Sequence, residues 1–149
     1  MASESGMTQV DFYILDDQAG GDRYGLACRL AEKAWQQGRR VYLHTNSPAE
    51  SRHLDKMLWT FREGSFLPHA LAEEADRSLN PVLIGSSSDS GEEHDVLINL
   101  ASEVPLFFAK FERVAELIDH DPQIKKEGRE RFRYYRDRGY NLNTHNIKQ

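Results

Sequence analysis

The sequence predicts an α/β fold: a three-layer sandwich with a mostly parallel central sheet and a basic C-terminal helix. Three observations predict it. Short runs rich in β-branched and aromatic residues recur along the chain, the pattern of buried strands. Between them lie longer stretches whose apolar residues repeat at helical spacing. Glycine, proline and aspartate punctuate the boundaries. Strand, helix, strand, helix at this spacing implies a right-handed βαβ unit with parallel strands.

Residues 10–15 (VDFYIL) read as the first buried strand, ended by Asp16 and Asp17 and the turn at Gly20 and Gly21. Over residues 22–37 apolar side chains recur at Tyr24, Ala27, Cys28, Ala31, Ala34 and Trp35, an amphipathic helix stopped by Gly38. Residues 40–44 (RVYLH) read as the second strand. Ser47 and Pro48 then start a helix that runs to about Phe61. Residues 62–80 read as an irregular loop that nevertheless carries Phe66, Leu67 and Leu71. Residues 81–84 form a short strand, and the serine-rich, acidic stretch 85–93 a mobile hairpin or linker. Residues 96–100 are a buried strand, 104–110 a helical turn, and 111–118 the last strand. Asp121 as N-cap, Pro122 at the first helical position and Gly139 beyond the end bracket the final helix. The sum is Rossmann-like in outline. Residues 10–147 make one domain, large enough to bury a core, behind a short flexible segment, 1–9.

Bulk properties narrow the function classes. The chain carries a net charge of −5 over 149 residues, which argues against a broad nucleic-acid surface. No apolar run approaches the roughly 20 residues of a membrane helix. A single cysteine excludes an internal disulfide, and residues 1–9 lack the apolar segment of a signal peptide. The expected compartment is the cytoplasm.

The catalytic motifs are absent. Neither G-x-G-x-x-G nor G-x-x-x-x-G-K-[ST] occurs, so Gly20 and Gly21 read as a plain turn. The six histidines have no ligand spacing. Asp89, Glu92, Glu93, His94 and Asp95 read as a solvated acidic loop, and Cys28 as core packing. One enzymatic alternative stands: Asp16 and Asp17 at a strand end could hold Mg²⁺ in a small phosphotransfer or nucleotide-binding protein. It would want a third aspartate and a lysine, for which Asp89 and Lys110 are the candidates.

Two surfaces remain as binding candidates. One is Trp59, Phe61, Phe66, Leu67 and Pro68, large apolar residues around an irregular loop. The other is the final helix. Between residues 125 and 138 seven Lys/Arg stand against three Asp/Glu, a local +4 that leaves −9 on the rest of the chain. Lys125, Arg129, Phe132, Arg133 and Arg136 fall on one helical face. A ring framed by cations suits a ligand that is part apolar and part anionic. Direct binding of single-stranded DNA by this face is a further alternative.

At this helix the sequence resembles a known family. Arg129-Glu-Arg-Phe-Arg-Tyr-Tyr-Arg136 followed by Gly139-Tyr-Asn-Leu-Asn-Thr144 is similar to the end of the chi subunits of bacterial DNA polymerase III. Asp11-Phe-Tyr-Ile-Leu-Asp16, Leu54-Asp-Lys-Met-Leu-Trp59, Ser65-Phe-Leu-Pro-His69 and Asp95-Val-Leu-Ile-Asn-Leu100 resemble earlier segments in the same order, so the likeness spans residues 10–147. The resemblance implies a non-catalytic accessory subunit of the replicative polymerase at the nucleoid-associated replisome, requiring no cofactor or metal. It implies two partners. The psi subunit, which links chi to the clamp loader, would dock on Trp59, Phe61, Phe66, Leu67 and Pro68. The acidic C-terminal tail of single-stranded DNA-binding protein, which ends in phenylalanine, would dock on the helix. Ile118 and Phe132 would wall a slot for the terminal ring, Arg129 and Arg133 would take its carboxylate, and Lys125 would attract the upstream acids. Contact with single-stranded DNA would then be indirect. Position 132 is Phe where the family often has Tyr, position 133 is Arg where Lys is common, and residues 70–94 match poorly.

Overall fold

The computed structural model describes residues 8–16, 20–64 and 66–148. Seven strands form one sheet: β1 (Gln9–Leu15), β2 (Val41–His44), β3 (His69–Leu71), β4 (Val82–Gly85), β5 (Val96–Asn99), β6 (Arg113–Ile118) and β7 (Asn141–Ile147). The order across the sheet is β3-β4-β2-β5-β6-β1-β7, and every pairing is parallel. Three helices cover it: α1 (Arg23–Gln36), α2 (Pro48–Thr60) and α3 (Pro122–Asp137).

The helix boundaries follow local chemistry. The Asp22, Ser47 and Asp121 side chains accept hydrogen bonds from backbone N–H groups of the turns they open. Gly38 and Gly139 lie just beyond α1 and α3 at φ of +82° and +80°, a left-handed conformation that costs a residue with a side chain.

Alternation along the strands separates two cores. Tyr13 and Leu15 of β1, Val41 and Leu43 of β2, Ile98 of β5 and Leu117 of β6 meet Leu26, Ala27, Ala31, Leu54 and Leu58 from α1 and α2. Val10 and Phe12, Tyr42, Leu97 and Val114 point the other way, to Phe108, Phe111 and Tyr135 under α3. The result is three layers, with α1 and α2 on one face and α3 on the other. Cys28 is fully buried in the first core, and burial pushes its thiol pKa up to about 12.

The structure departs from the sequence reading in four places. The loop at 62–80 contains β3, which adds an edge to the sheet beside β4. The tail after α3 forms β7, paired with β1 along seven residues. Its sequence, Asn-Leu-Asn-Thr-His-Asn-Ile, lacks an apolar alternation because an edge strand needs only half its surface covered. The stretch 85–93 is anchored: Glu93 is 1% exposed, and its carboxylate accepts hydrogen bonds from Arg40 and Arg77. The Arg40 bond joins positions 53 residues apart and the Arg77 bond positions 16 apart, beyond any local pattern. Finally, β1 starts at Gln9, and Thr8 is buried with its hydroxyl donating to the Phe111 carbonyl at 2.7 Å, so residues 8 and 9 belong to the folded body.

Candidate functional site

The most distinctive site lies where α3 crosses β6, β1 and β7. Phe12, Ile14, Ile118, Lys125, Gly128, Arg129, Phe132 and Thr144 line a cleft of about 280 Å³. Three adjacent strands form its floor, and one helix face forms its wall. Phe12 and Ile14 reach it because they alternate on β1. Phe12 and Phe132 meet edge to face, with ring centroids 5.2 Å apart. The lining is thus aromatic and aliphatic, with Lys125 and Arg129 on the helix side.

Helix α3 is held by a polar network on its other side. Glu116 of β6 is fully buried. Its carboxylate accepts hydrogen bonds from Arg131 at 2.8 Å, the Tyr135 hydroxyl at 2.6 Å and Asn99 at 3.0 and 3.2 Å. Arg131 also donates to the Ser102 carbonyl. Burial, then the charge of Glu116, raises the Tyr135 phenol well above its ordinary pKa, so it remains a donor. Every charge in this cluster is paired, which buried charge requires. Arg129 and Arg133, by contrast, are exposed and make no ion pair or side-chain hydrogen bond among the described residues.

Four of the five residues expected of the basic site, Ile118, Lys125, Arg129 and Phe132, line this cleft. Arg133 does not; it is exposed one turn beyond Arg129 on the same helix. Sequence reasoning missed Phe12, Ile14, Gly128 and Thr144. The alternation of β1 and a glycine inside a helix were available signals for three of them. Thr144 had none, because β7 itself was missed.

The second candidate surface lies at the opposite edge of the sheet, beyond α2 and beside β3. Trp59 is 65% exposed and Phe66 83% exposed. The Trp59 ring packs on His69, with centroids 4.6 Å apart. Phe61 and Pro68 are half-buried. Leu67 corrects the sequence reading: it is 3% exposed and belongs to the core under α2, so it supports this patch from beneath.

The metal constellation does not assemble. Asp89 follows β4 and Asp16 follows β1, and β2, β5 and β6 lie between those strands. Four strand spacings of about 4.8 Å put those two strands roughly 19 Å apart. Lys110 donates to the Gly91 carbonyl and lies 4.0 Å from the Asp89 carboxylate, so these two stay together on the β4 side, away from Asp16. Asp17 lies outside the described residues. Among the described residues no three His, Cys, Asp or Glu side chains gather in a way that could hold a metal ion.

Comparison with known proteins settles the family. The model of the family described as DNA polymerase III chi subunit, HolC, matches residues 7–143. The chain belongs to this family. Its chi relatives include the DNA polymerase III subunit chi of Pseudomonas aeruginosa, 46% identical over 95% of this chain and 98% of that one. The subunit chi of Escherichia coli is 33% identical over 93% and 97%. Among solved structures, a chain from the crystal structure of T4 UvsW superposes with a TM-score of 0.68 at 11% identity. That match covers 96% of this chain and 42% of the other, and it shows a shared fold alone. As for membranes, no helix among the described residues is long and apolar enough to cross one.

Proposed function

We propose that this chi-family chain is a non-catalytic accessory subunit of the replicative polymerase complex, an adaptor with one docking surface at each edge of its sheet. The α3 cleft takes the acidic, phenylalanine-ended tail of single-stranded DNA-binding protein. The Trp59 and Phe66 patch takes the psi subunit and through it the clamp loader. The observation that carries this reading is the cleft itself, an aromatic floor beside Arg129, an exposed cation with no ion-pair partner among the described residues.

The chemistry follows from the lining. A terminal phenyl ring entering between Phe12, Ile118 and Phe132 leaves water, worth about 1.5–3 kcal/mol. Its carboxylate meets Arg129, with Arg133 one turn away, and guanidinium binds carboxylate in a bidentate fork. Exposed ion pairs add about 0–1 kcal/mol each. The ring and two such pairs sum to at most about 5 kcal/mol, so an affinity of roughly micromolar order needs the upstream acids of the tail as well, and it weakens with salt. For an adaptor this suffices, because tethering raises effective concentration.

Separation of the two surfaces makes the reading testable. Psi subunit on a resin is used to retain single-stranded DNA-binding protein through this chain. The wild-type chain bridges them. An Arg129→Ala/Phe132→Ala variant stays on the resin and loses the DNA-binding protein. A Trp59→Ala/Phe66→Ala variant is itself lost from the resin yet still binds the tail in solution. Bridging that survives the first pair of substitutions contradicts the assignment of the cleft.

A further inference from the structure

We propose that Gly128 sets the depth of the α3 cleft, because a side chain there would take the place now held by Ile118. The inference rests on the tail-capture reading and deepens it by naming the residue that decides what fits.

Gly128 is buried in the middle of a 16-residue helix. Glycine is unfavourable in a helix interior, so its presence calls for a packing reason. A Cβ built on Gly128 would stand 1.9 Å from Ile118 Cδ1 and 3.3 Å from Ile118 Cγ1, where real Cβ contacts essentially never fall under 3.0 Å. One of the two elements must give. Helix α3 is pinned close by: Arg131 is bonded to Glu116 and to the Ser102 carbonyl, and Tyr135 to Glu116. Lifting the helix would break buried, charge-assisted hydrogen bonds. Turning the end of the Ile118 side chain breaks none. Ile118 and Gly128 both line the cleft, so the turned side chain changes its floor. The absence of one methyl group at position 128 is what keeps the ring-binding end open.

The test is a double-mutant cycle on the full chain. Gly128→Ala, Ile118→Val and the double variant are titrated against an acidic peptide ending in phenylalanine, by fluorescence anisotropy. Ile118→Val removes Cδ1, the atom the new methyl group would strike. Alone it loses contact area, and an affinity loss of about threefold follows from deleting one buried methyl group. Gly128→Ala is expected to weaken binding by more than about tenfold. The double variant is expected to bind like Ile118→Val alone, because the clash has been removed. Losses that multiply in the double variant, or a Gly128→Ala protein that binds like wild type, overturn the proposal.

A second readout separates this claim from the identity of the ligand. The Ile118 δ1 methyl resonance is followed in wild type and in Gly128→Ala, free and with 3-phenylpropanoate, which carries the same ring and carboxylate. Failure of the peptide to bind wild-type protein would overturn tail capture. A wild-type methyl that shifts with phenylpropanoate, while the Gly128→Ala methyl starts displaced and does not respond, would still support the depth gauge. An Ile118 methyl unmoved by the substitution overturns it.

Discussion

The two faces of α3 share a sequence and differ in everything else. Arg131 is 5% exposed and locked to Glu116, whereas Arg129 and Arg133, two residues away on either side, are exposed and have no ion-pair partner among the described residues. One arginine holds the helix in place; its neighbours are free to hold something else. The difference teaches that a run of basic residues is not one feature. Its charge divides by helical phase into a part locked in the fold and a part left to solvent, and the proposed tail would meet only the second.

The sharpest way to break this division is to attack the buried side. Glu116→Ala leaves Arg131 charged, buried and without its partner, and should destabilise the fold by about 3–5 kcal/mol in a urea titration. If the loss were below about 1 kcal/mol, Arg131 would not be a structural residue in the sense argued here. On the other face, Phe132→Ala should cost tail affinity about 1.5–3 kcal/mol, or roughly tenfold to a hundredfold, measured by calorimetry. Smallest is Arg129→Ala, which should weaken tail binding only several-fold and flatten its salt dependence. Its thermal stability should stay within about 0.5 kcal/mol of wild type.

How much of this was legible in the sequence follows from where the information sits. The helices were readable because Asp22, Ser47 and Asp121 cap their own turns and Gly38 and Gly139 end two of them. The central strands were readable because both their faces are buried. What escaped was decided by distant partners. β7 has the composition of a loop and becomes a strand only because β1 offers a bare edge. Arg131 looked like its basic neighbours because Glu116 lies on another element. Arg40 and Arg77 hold Glu93 in a stretch whose composition reads as solvent. Of the residues expected at the basic site, Ile118, Lys125, Arg129 and Phe132 do line one cleft. Arg133 was placed in it by helical phase and resemblance, yet it stands outside the cleft.

β7 also makes its own prediction. Asp11 is nearly fully buried and accepts hydrogen bonds from His145 of β7 and Arg113 of β6, both at 3.0 Å. Burial acts to raise its pKa, but these hydrogen bonds outweigh it and hold the carboxyl below its usual range. A depressed folded-state pKa stabilises the protein above the unfolded value, about 3.9 for aspartate, and that contribution is lost as pH falls through the folded value. Wild-type stability should therefore fall below about pH 4, and Asp11→Asn should flatten the pH dependence in that window. An unchanged profile would mean that Asp11 does not clamp the edge strand.

The measurement that tests the central claim most directly is an anisotropy titration of two labelled acidic peptides, identical except that one ends in a phenylalanine with a free carboxylate and the other in its amide. The division of α3 predicts roughly micromolar binding of the free acid. The amide should bind several-fold more weakly, because it forfeits the ion pair with Arg129. Equal binding of both peptides would contradict it, since attraction to a diffuse basic surface would then explain the contact without the cleft.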